Sequence, residues 1–393
     1  MTEAPRLLHV FPGFGPGGTQ LRMVSIINSL GARFAHRVIS LDGNTTAANA
    51  FAGVEVTVEG PPAPAKTPRP LVFRAMVREM RPAAVLTYNW GAIDATLGAR
   101  LAGVCPVIHN ECGFGADEAQ RLIQRRVWAR RLILNSIYRT AVTSETMFKI
   151  ARRDFKLPPR KVQLIRTGVD VDRYRPIANR ERRDTFGAAD GTLVLGYLGG
   201  LRPEKNLSML IRSYHTADLP NSKLVLIGEG PCRGDLERLA KELGIVDRVI
   251  FAGHRPEPSR YLADLDVFVM SSVTEQVSNA QLEAMACGLP VICTKAGDSG
   301  ELLGQNANHC VVEPNNEAAY TDALRRIAAD RNLRMSLGAA NRERAVKLYS
   351  KDRMVNEYAA LFEAALPQRK RRRHVAQDLK EPKESCTRLE SGT

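Results

Sequence analysis

Short apolar runs alternate with runs of helical periodicity along the first half of the chain. A strand is predicted at residues 6–11, followed by a glycine-rich loop and a helix at residues 19–30. Apolar clusters without helical spacing predict the next strands, at residues 36–41, 54–58, 84–88 and 105–109. This alternation is typical of a parallel sheet wrapped by helices.

The second half of the chain repeats the same alternation. Its predicted elements are a strand at residues 193–198, a strand and glycine loop within 223–231, a strand-loop-helix-strand unit at 249–270, a strand at 291–294, helices from about 316 to 348, and a last helix at 352–366. A chain of 393 residues is long enough for two domains, each with its own core.

The composition is that of an ordinary globular protein, with more basic than acidic residues. The formal charge is +14, and much of it lies at residues 121–161 and in the block at residues 369–373. No apolar run approaches the roughly 20 residues of a membrane span. The seven cysteines include no C-x-x-C pair, which fits reduced thiols. We therefore expect a cytoplasmic protein.

Residues 118–138 predict an amphipathic helix with most of its arginines on the polar side. Such a helix could lie on an anionic membrane, where each basic residue contributes about 1 kcal/mol. A core helix with a solvated basic face explains the pattern equally well. Residues 369–373 are a second candidate membrane contact, or part of a solubilising tail. A peripheral position on the inner face of the membrane is thus a hypothesis, and nucleic-acid binding is not expected because no known motif is present.

Two glutamates, Glu275 and Glu283, flank a predicted helix start. Ser278 is its predicted N-cap, and Asn279 and Ala280 follow with unpaired backbone amides. Eight helical steps separate the two glutamate backbones by about 12 Å. Hydrolase acid–base pairs need roughly 5 to 9.5 Å. A helix start favours phosphate, so a nucleotide sugar with hydroxyl groups at both ends fits between the glutamates. The alternative is that both glutamates are solvated.

The run from residue 275 to residue 290, EQVSNAQLEAMACGLP, resembles the signature of the retaining glycosyltransferases of family 4. The resemblance implies the GT-B architecture, an α/β fold in which two Rossmann-like doubly wound parallel-sheet domains face each other across a cleft. The implied divisions are an acceptor-side domain at residues 1–168, a nucleotide-sugar-binding domain at 169–348, a helix at 349–366 that crosses back to the first domain, and a basic tail at 367–393.

The resemblance also implies roles for the candidate site residues. Glu275 and, from the other domain, His109 would face the donor sugar, although a lone histidine at a strand end is often structural. Glu283 would hold the ribose hydroxyls, and Lys205 would bind the diphosphate. The remaining donor-binding candidates are Gly17, Gly18, Arg202, Arg255, Ser278, Asn279 and Ala280.

Three positions depart from the family pattern. Gln20 replaces the usual acidic residue after the glycine pair, and Gly200 replaces an arginine that holds the diphosphate. Arg202, two residues later, is a candidate for the missing cation. Gln276 stands where glycine is common, which leaves the identity of the sugar open.

The expected function is transfer of a sugar from a UDP- or GDP-sugar to an acceptor hydroxyl, with retention, on a lipid-linked or cell-surface glycan. No cofactor or metal ion is expected, because the Asp-x-Asp runs at residues 170–172 and 264–266 are interpreted as chance. Two alternatives stay open: a GT-B sugar-nucleotide epimerase, and a non-catalytic scaffold that binds nucleotide sugars.

Overall fold

The computed structural model describes residues 4–62, 69–114, 117–118, 121–177, 186–189 and 191–366. The basic block at residues 369–373, one of the two candidate membrane contacts, lies outside these ranges. Within them, the chain forms two α/β domains, each built on one parallel sheet.

Strands and helices alternate throughout the first domain. The elements are β1 (Arg6–Phe11), α1 (Gly18–Leu30), β2 (Ala35–Ser40), β3 (Val56–Glu59), α2 (Arg69–Met80), β4 (Ala84–Tyr88), α3 (Ile93–Ala102), β5 (Val107–Glu111), α4 (Gln124–Ser136), β6 (Arg139–Val142), α5 (Glu145–Arg153) and β7 (Val162–Leu164). The sheet order is β3-β2-β1-β4-β5-β6-β7. Strand order reverses between β1 and β4, which is where doubly wound sheets open a ligand crevice.

The second domain follows the same plan with six strands. Its elements, and the helices after them, are β8 (Leu193–Leu198), α6 (Leu207–Ala217), β9 (Ser222–Ile227), α7 (Arg233–Glu242), β10 (Val249–Gly253), α8 (Pro258–Leu262), β11 (Val267–Met270), α9 (Asn279–Ala286), β12 (Val291–Thr294), α10 (Ser299–Leu303), β13 (Val311–Val312), α11 (Glu317–Ala329), α12 (Arg331–Leu348) and α13 (Lys351–Ala365). The sheet order is β10-β9-β8-β11-β12-β13. The predicted pair of doubly wound parallel-sheet domains is confirmed.

The central strands are buried on both faces, as a parallel sheet covered by helices requires. Every residue of β4, β11 and β12 is buried. Continuous apolar runs produce this burial, and the predicted bounds of β4, β8 and β12 agree with the structure.

Contacts between the domains close the back of the cleft. The final helix, α13, packs on the first domain through Met354, Tyr358 and Phe362, which join its core. Asp298 of the second domain accepts hydrogen bonds from the backbone N–H groups of Glu145 and Thr146, at 2.7 and 3.0 Å. A carboxylate from one domain therefore caps the start of α5 in the other, where the helix dipole favours negative charge.

The helix predicted at residues 118–138 is shorter in the structure, where α4 spans Gln124–Ser136. Arg130 does not lie on a solvated face, because Glu111 and Glu118 hold it inside the domain. No helix in the described ranges combines the length and the apolarity that a membrane span requires.

Candidate active site

Two neighbouring cavities lie between the domains, with volumes of about 510 and 390 Å³. Four residues line both of them: Gly18, Arg22, Thr167 and Asn279. Gly18 and Arg22 belong to α1, Thr167 follows β7, and Asn279 begins α9. The wall shared by the cavities is thus built from both domains and marks the centre of the cleft.

The first turns of α1 and α9 meet at this shared wall. Ser278 caps α9 as predicted, since its Oγ accepts a hydrogen bond from the N–H of Gln281 at 3.2 Å. Gly17 is the N-cap residue of α1 and has no side chain that could accept a hydrogen bond from the first turn. A Cβ atom on Gly18 would lie only 3.8 Å from Nδ2 of Asn279. Two helix starts with unpaired amides and positive dipole ends face each other, an arrangement that favours phosphate.

Lys205 and Glu275 form an ion pair next to Gln276, which lines the larger cavity, but neither of the paired residues lines either cavity. Nζ of Lys205 lies 2.5 Å from Oε2 of Glu275, and the two side chains are 20% and 15% exposed. Ser272 Oγ donates to the same carboxylate oxygen at 3.3 Å. A Cβ on Gly297 would lie 2.0 Å from the carbonyl oxygen of Glu275, so this loop is tightly held. The sequence assigned Lys205 and Glu275 to different parts of the ligand, and the structure places them in contact.

Gln276 packs against the first domain across the cleft. A Cβ on Gly113 would lie 2.2 Å from Cδ of the Gln276 side chain. Gly113 has φ of +144°, a backbone conformation that favours glycine. Both residues line the larger cavity. The polar amide of Gln276 therefore forms part of the wall beside Glu275.

Glu283 lines the smaller cavity together with Tyr174 and Arg173. Burial raises the pKa of Glu283 to about 7, against the smaller lowering effects of the Tyr174 hydrogen bond and the nearby Arg173 charge. The carboxyl group is therefore close to its titration point at neutral pH. Its carboxylate form can accept hydrogen bonds from the hydroxyl groups of a ligand in this cavity.

A partly buried network of charged side chains lines the larger cavity on the side of the first domain. Arg130 is fully buried and donates to Glu111 at 2.8 Å and to Glu118 at 3.0 Å. Arg126 pairs with Asp117 at 2.6 Å and with Glu118 at 3.2 Å. Carboxylates match both arginines, so this network carries no surplus positive charge.

His109 lies inside β5 rather than at its end. The prediction that the strand ends at His109 is wrong, because the strand continues through Asn110 and Glu111 and pairs with β6. The imidazole is fully buried, with Nδ1 2.9 Å from Thr87 Oγ1 and Nε2 3.6 Å from a Glu111 oxygen. His109 lines neither cavity, so this geometry does not place it against a donor sugar.

Two other predicted donor-binding cations also lie away from the cavities. The Arg202 side chain is 65% exposed, and its Nη1 lies 4.0 Å from a Glu204 oxygen. Arg255 is exposed and stacks over Tyr261, with its guanidinium carbon 5.5 Å from the ring centroid. Neither arginine lines the two cavities described above.

Several residues of the cleft escaped sequence reasoning, among them Arg22, Trp90, Gly113 and Tyr174. Arg22 follows Gly18 by four positions, so helical spacing alone places both on one face of α1. This spacing was sufficient to predict that Arg22 lies on the same side of the helix as Gly18. No local pattern marks Trp90 or Gly113, because their importance arises from contacts with distant parts of the chain.

No group of three or more His, Cys, Asp or Glu side chains within the described residues is placed to hold a metal ion. The Asp-x-Asp runs contain residues with structural hydrogen bonds. Asp266 accepts from the N–H of Val194 at 2.9 Å, and Asp170 accepts from the N–H of Arg173 at 3.0 Å.

The chain matches two family models, which together cover most of its length. The glycosyl transferase 4-like domain matches residues 17–168, and the glycosyl transferases group 1 domain matches residues 179–344. These matches and the two facing doubly wound domains support a GT-B glycosyltransferase.

The individual relatives are named as glycosyltransferases. The lipopolysaccharide core biosynthesis glycosyltransferase LpsE of Rhizobium meliloti is 33% identical over 184 residues, which are 47% of this chain and 53% of LpsE. The chain spans about half the length of the first curated relatives that it matches. A longer match is to the GDP-mannose-dependent alpha-(1-6)-phosphatidylinositol monomannoside mannosyltransferase of Mycobacterium tuberculosis, with 29% identity over 86% of this chain and 93% of that protein.

Solved structures share the whole architecture. The crystal structure of Anabaena Alr3699/HepE in complex with UDP superposes with a TM-score of 0.78 over 91% of this chain and 100% of that chain, at 18% sequence identity. At this identity the likeness concerns the fold alone, and it confirms the GT-B architecture.

Proposed function

We propose that this glycosyltransferase moves a sugar from a UDP- or GDP-sugar to an acceptor hydroxyl, with retention at the anomeric carbon and without a metal ion. The supporting observation is that two helix starts meet between Glu283, which lines the smaller cavity, and Gln276, which lines the larger cavity and follows Glu275 in the chain. A nucleotide sugar has the matching order of ribose, diphosphate and sugar. The resemblance of residues 275–290 to retaining enzymes supports the stereochemistry.

Cleavage of the sugar–phosphate bond leaves negative charge on the departing diphosphate. The unpaired amides at the starts of α1 and α9 are fixed before the reaction and stabilise this charge without reorganising. In this proposal, Lys205 exchanges its Glu275 partner for a phosphate oxygen. Glu275, once released, positions the sugar.

The acceptor in this proposal enters the larger cavity, whose wall contains Trp90, Asp117 and Glu118. The Asp117 carboxylate, which is 51% exposed, can accept hydrogen bonds from sugar hydroxyls, whereas Glu118 is already paired with Arg126 and Arg130. The name of LpsE refers to the lipopolysaccharide core, and that of the mycobacterial relative to a phosphatidylinositol mannoside. We therefore propose a lipid-linked or cell-surface glycan as the acceptor.

Two experiments test this function. The first is titration calorimetry with UDP and GDP, and the second is product analysis with the matching sugar donors and lipid-linked acceptors. Transfer to an acceptor in the presence of EDTA, with retention, is the expected result. Turnover of the donor without any acceptor would identify an epimerase instead. Nucleotide binding without any turnover would identify a scaffold.

We also propose that the outer face of α4 rests on an anionic membrane. Trp128 and Leu132 are 57% and 70% exposed there, and Arg125 is exposed on the same face. An exposed aromatic and an exposed aliphatic side chain beside positive charge match the interface of an anionic bilayer.

Replacing Trp128 and Leu132 together by serine is expected to lower binding to anionic liposomes at least about tenfold, because both apolar side chains lose their burial in the bilayer. Co-sedimentation at several anionic lipid fractions measures this. Met335→Ser removes a side chain that is 63% exposed on α12 and serves as the control. Binding of the double variant at the wild-type level, or no dependence on anionic lipid, would contradict the proposal.

A further inference from the structure

Arg22 lies at the wall shared by the two cavities, one helical turn after Gly18. In a helix, long side chains point back toward the N-terminus, so the guanidinium of Arg22 lies over the start of α1. It donates from Nη1 to Thr167 Oγ1 at 3.2 Å and from Nη2 to Cys112 Sγ at 2.8 Å. Its Nε is buried and has no hydrogen-bond partner within the described chain.

No carboxylate of the described ranges pairs with Arg22, in contrast to three other cations near the cleft, Lys205, Arg126 and Arg130. Lys205 is paired with Glu275. The two arginines behind the larger cavity, Arg126 and Arg130, are matched by acidic side chains. Of these four cations, Arg22 alone keeps an unmatched charge in the described structure.

A desolvated guanidinium without a counter-charge is costly unless an anion binds it. Here it lies beside two helix starts whose dipoles add further positive potential. Arginine presents a planar fork of donors that matches the oxygen atoms of phosphate. The junction of the two cavities therefore favours binding of a phosphate ester.

We infer that Arg22 binds the diphosphate of the nucleotide-sugar donor and stabilises it as the leaving group. The inference rests on the proposed function. It assigns the cation that is missing at Gly200 to the opposite domain, and it excludes the exposed Arg202 as the replacement. The diphosphate would then be held by both domains, so loss of Arg22 weakens binding to the phosphates and leaves contacts with base and ribose intact.

Calorimetry on the full chain with UDP, GDP and the corresponding nucleosides tests this assignment. Arg22→Gln is expected to weaken binding of the preferred diphosphate about 10- to 100-fold and to leave nucleoside binding within about twofold, since hydrogen bonds to charged groups are lost only at the phosphates. The diphosphate affinity of Arg22→Lys should fall between those of the wild-type protein and Arg22→Gln. Arg212→Gln, which removes an exposed arginine paired with Glu317, is the control.

The outcomes separate the inference from the proposed function. If the wild-type protein binds neither UDP nor GDP, both the proposed function and the inference about Arg22 are contradicted. Wild-type binding with an unchanged affinity in Arg22→Gln would overturn the inference alone, and so would a loss found in Arg202→Gln instead. A raised acceptor KM with unchanged diphosphate affinity would assign Arg22 to an acceptor phosphate and overturn the donor assignment. Equal loss for diphosphate and nucleoside would show a structural role, which also overturns it.

Discussion

Glu275→Gln is expected to lower kcat for sugar transfer by about 100-fold or more, with a much smaller effect on nucleoside diphosphate binding. In the proposed reaction, the carboxylate positions the sugar and complements the charge that develops at its anomeric carbon. The amide keeps the shape of Glu275 but removes its charge. Single-turnover transfer, with diphosphate affinity measured in parallel, separates these effects.

Glu204→Gln is the matched control, because Glu204 is adjacent to Lys205 in the chain and 39% exposed. It should leave kcat unchanged within about twofold, as surface charges contribute little. Equal losses in Glu204→Gln and Glu275→Gln would point to a general electrostatic effect. Near-normal transfer by Glu275→Gln would refute the role assigned to Glu275.

The contact between Lys205 and Glu275 makes their substitutions interdependent. Removing either partner leaves the other charge unpaired in a site that is mostly shielded from solvent. Lys205→Ala combined with Glu275→Gln should therefore destabilise the free protein less than the sum of the single changes. The same pairing explains how the free enzyme keeps both residues in place before the donor arrives.

The parts of the site that depend on residues close together in the chain were predicted from the sequence. The capping role of Ser278 follows from the helix signal that begins at Asn279, and the same signal placed the glutamates on opposite sides of a helix start. Strand bounds such as those of β12 follow from a short apolar run after a glycine and a proline. These features depend on residues within a few positions of one another.

Features that depend on distant contacts could not be predicted in this way. The sequence around Arg130 has few acidic residues, so its burial was not foreseen. Glu111 and Glu118, 19 and 12 positions earlier in the chain, neutralise it through the folded backbone. His109 was misplaced because strand pairing with β6, and not local composition, decides where β5 ends. The contact between Gln276 and Gly113 joins two domains and has no signature in either sequence segment.

Glu283 is expected to give the proposed nucleotide site a pH dependence with opposite signs for protein stability and for ligand binding. Its pKa is raised from 4.5 to about 7 by burial. The folded protein therefore holds a proton that the unfolded chain has lost between these values. The free energy of unfolding should fall as pH rises from about 4.5 to 7, by up to about 3 kcal/mol from this group, and then level off.

Nucleotide binding should show the reverse trend, because in the proposed complex the ribose hydroxyls donate to the carboxylate form of Glu283. Affinity is expected to rise through about pH 7 in the wild-type protein and to lack this rise in Glu283→Gln. At pH 8 the variant should bind the diphosphate at least about tenfold more weakly, since it loses hydrogen bonds to a charged group. It should nevertheless melt at a higher temperature than the wild-type protein at that pH.

Calorimetry and thermal melting between pH 5 and pH 8.5 measure both trends on the same samples. The phosphates of the ligand titrate near pH 6, and the Glu283→Gln data remove their contribution by difference. Tyr174→Phe deletes a hydrogen bond that lowers the pKa of Glu283, so its affinity transition should move to higher pH. A pH dependence in Glu283→Gln that matches the wild-type protein would place the ribose elsewhere, because Glu283 would then not be the titrating group that binds it.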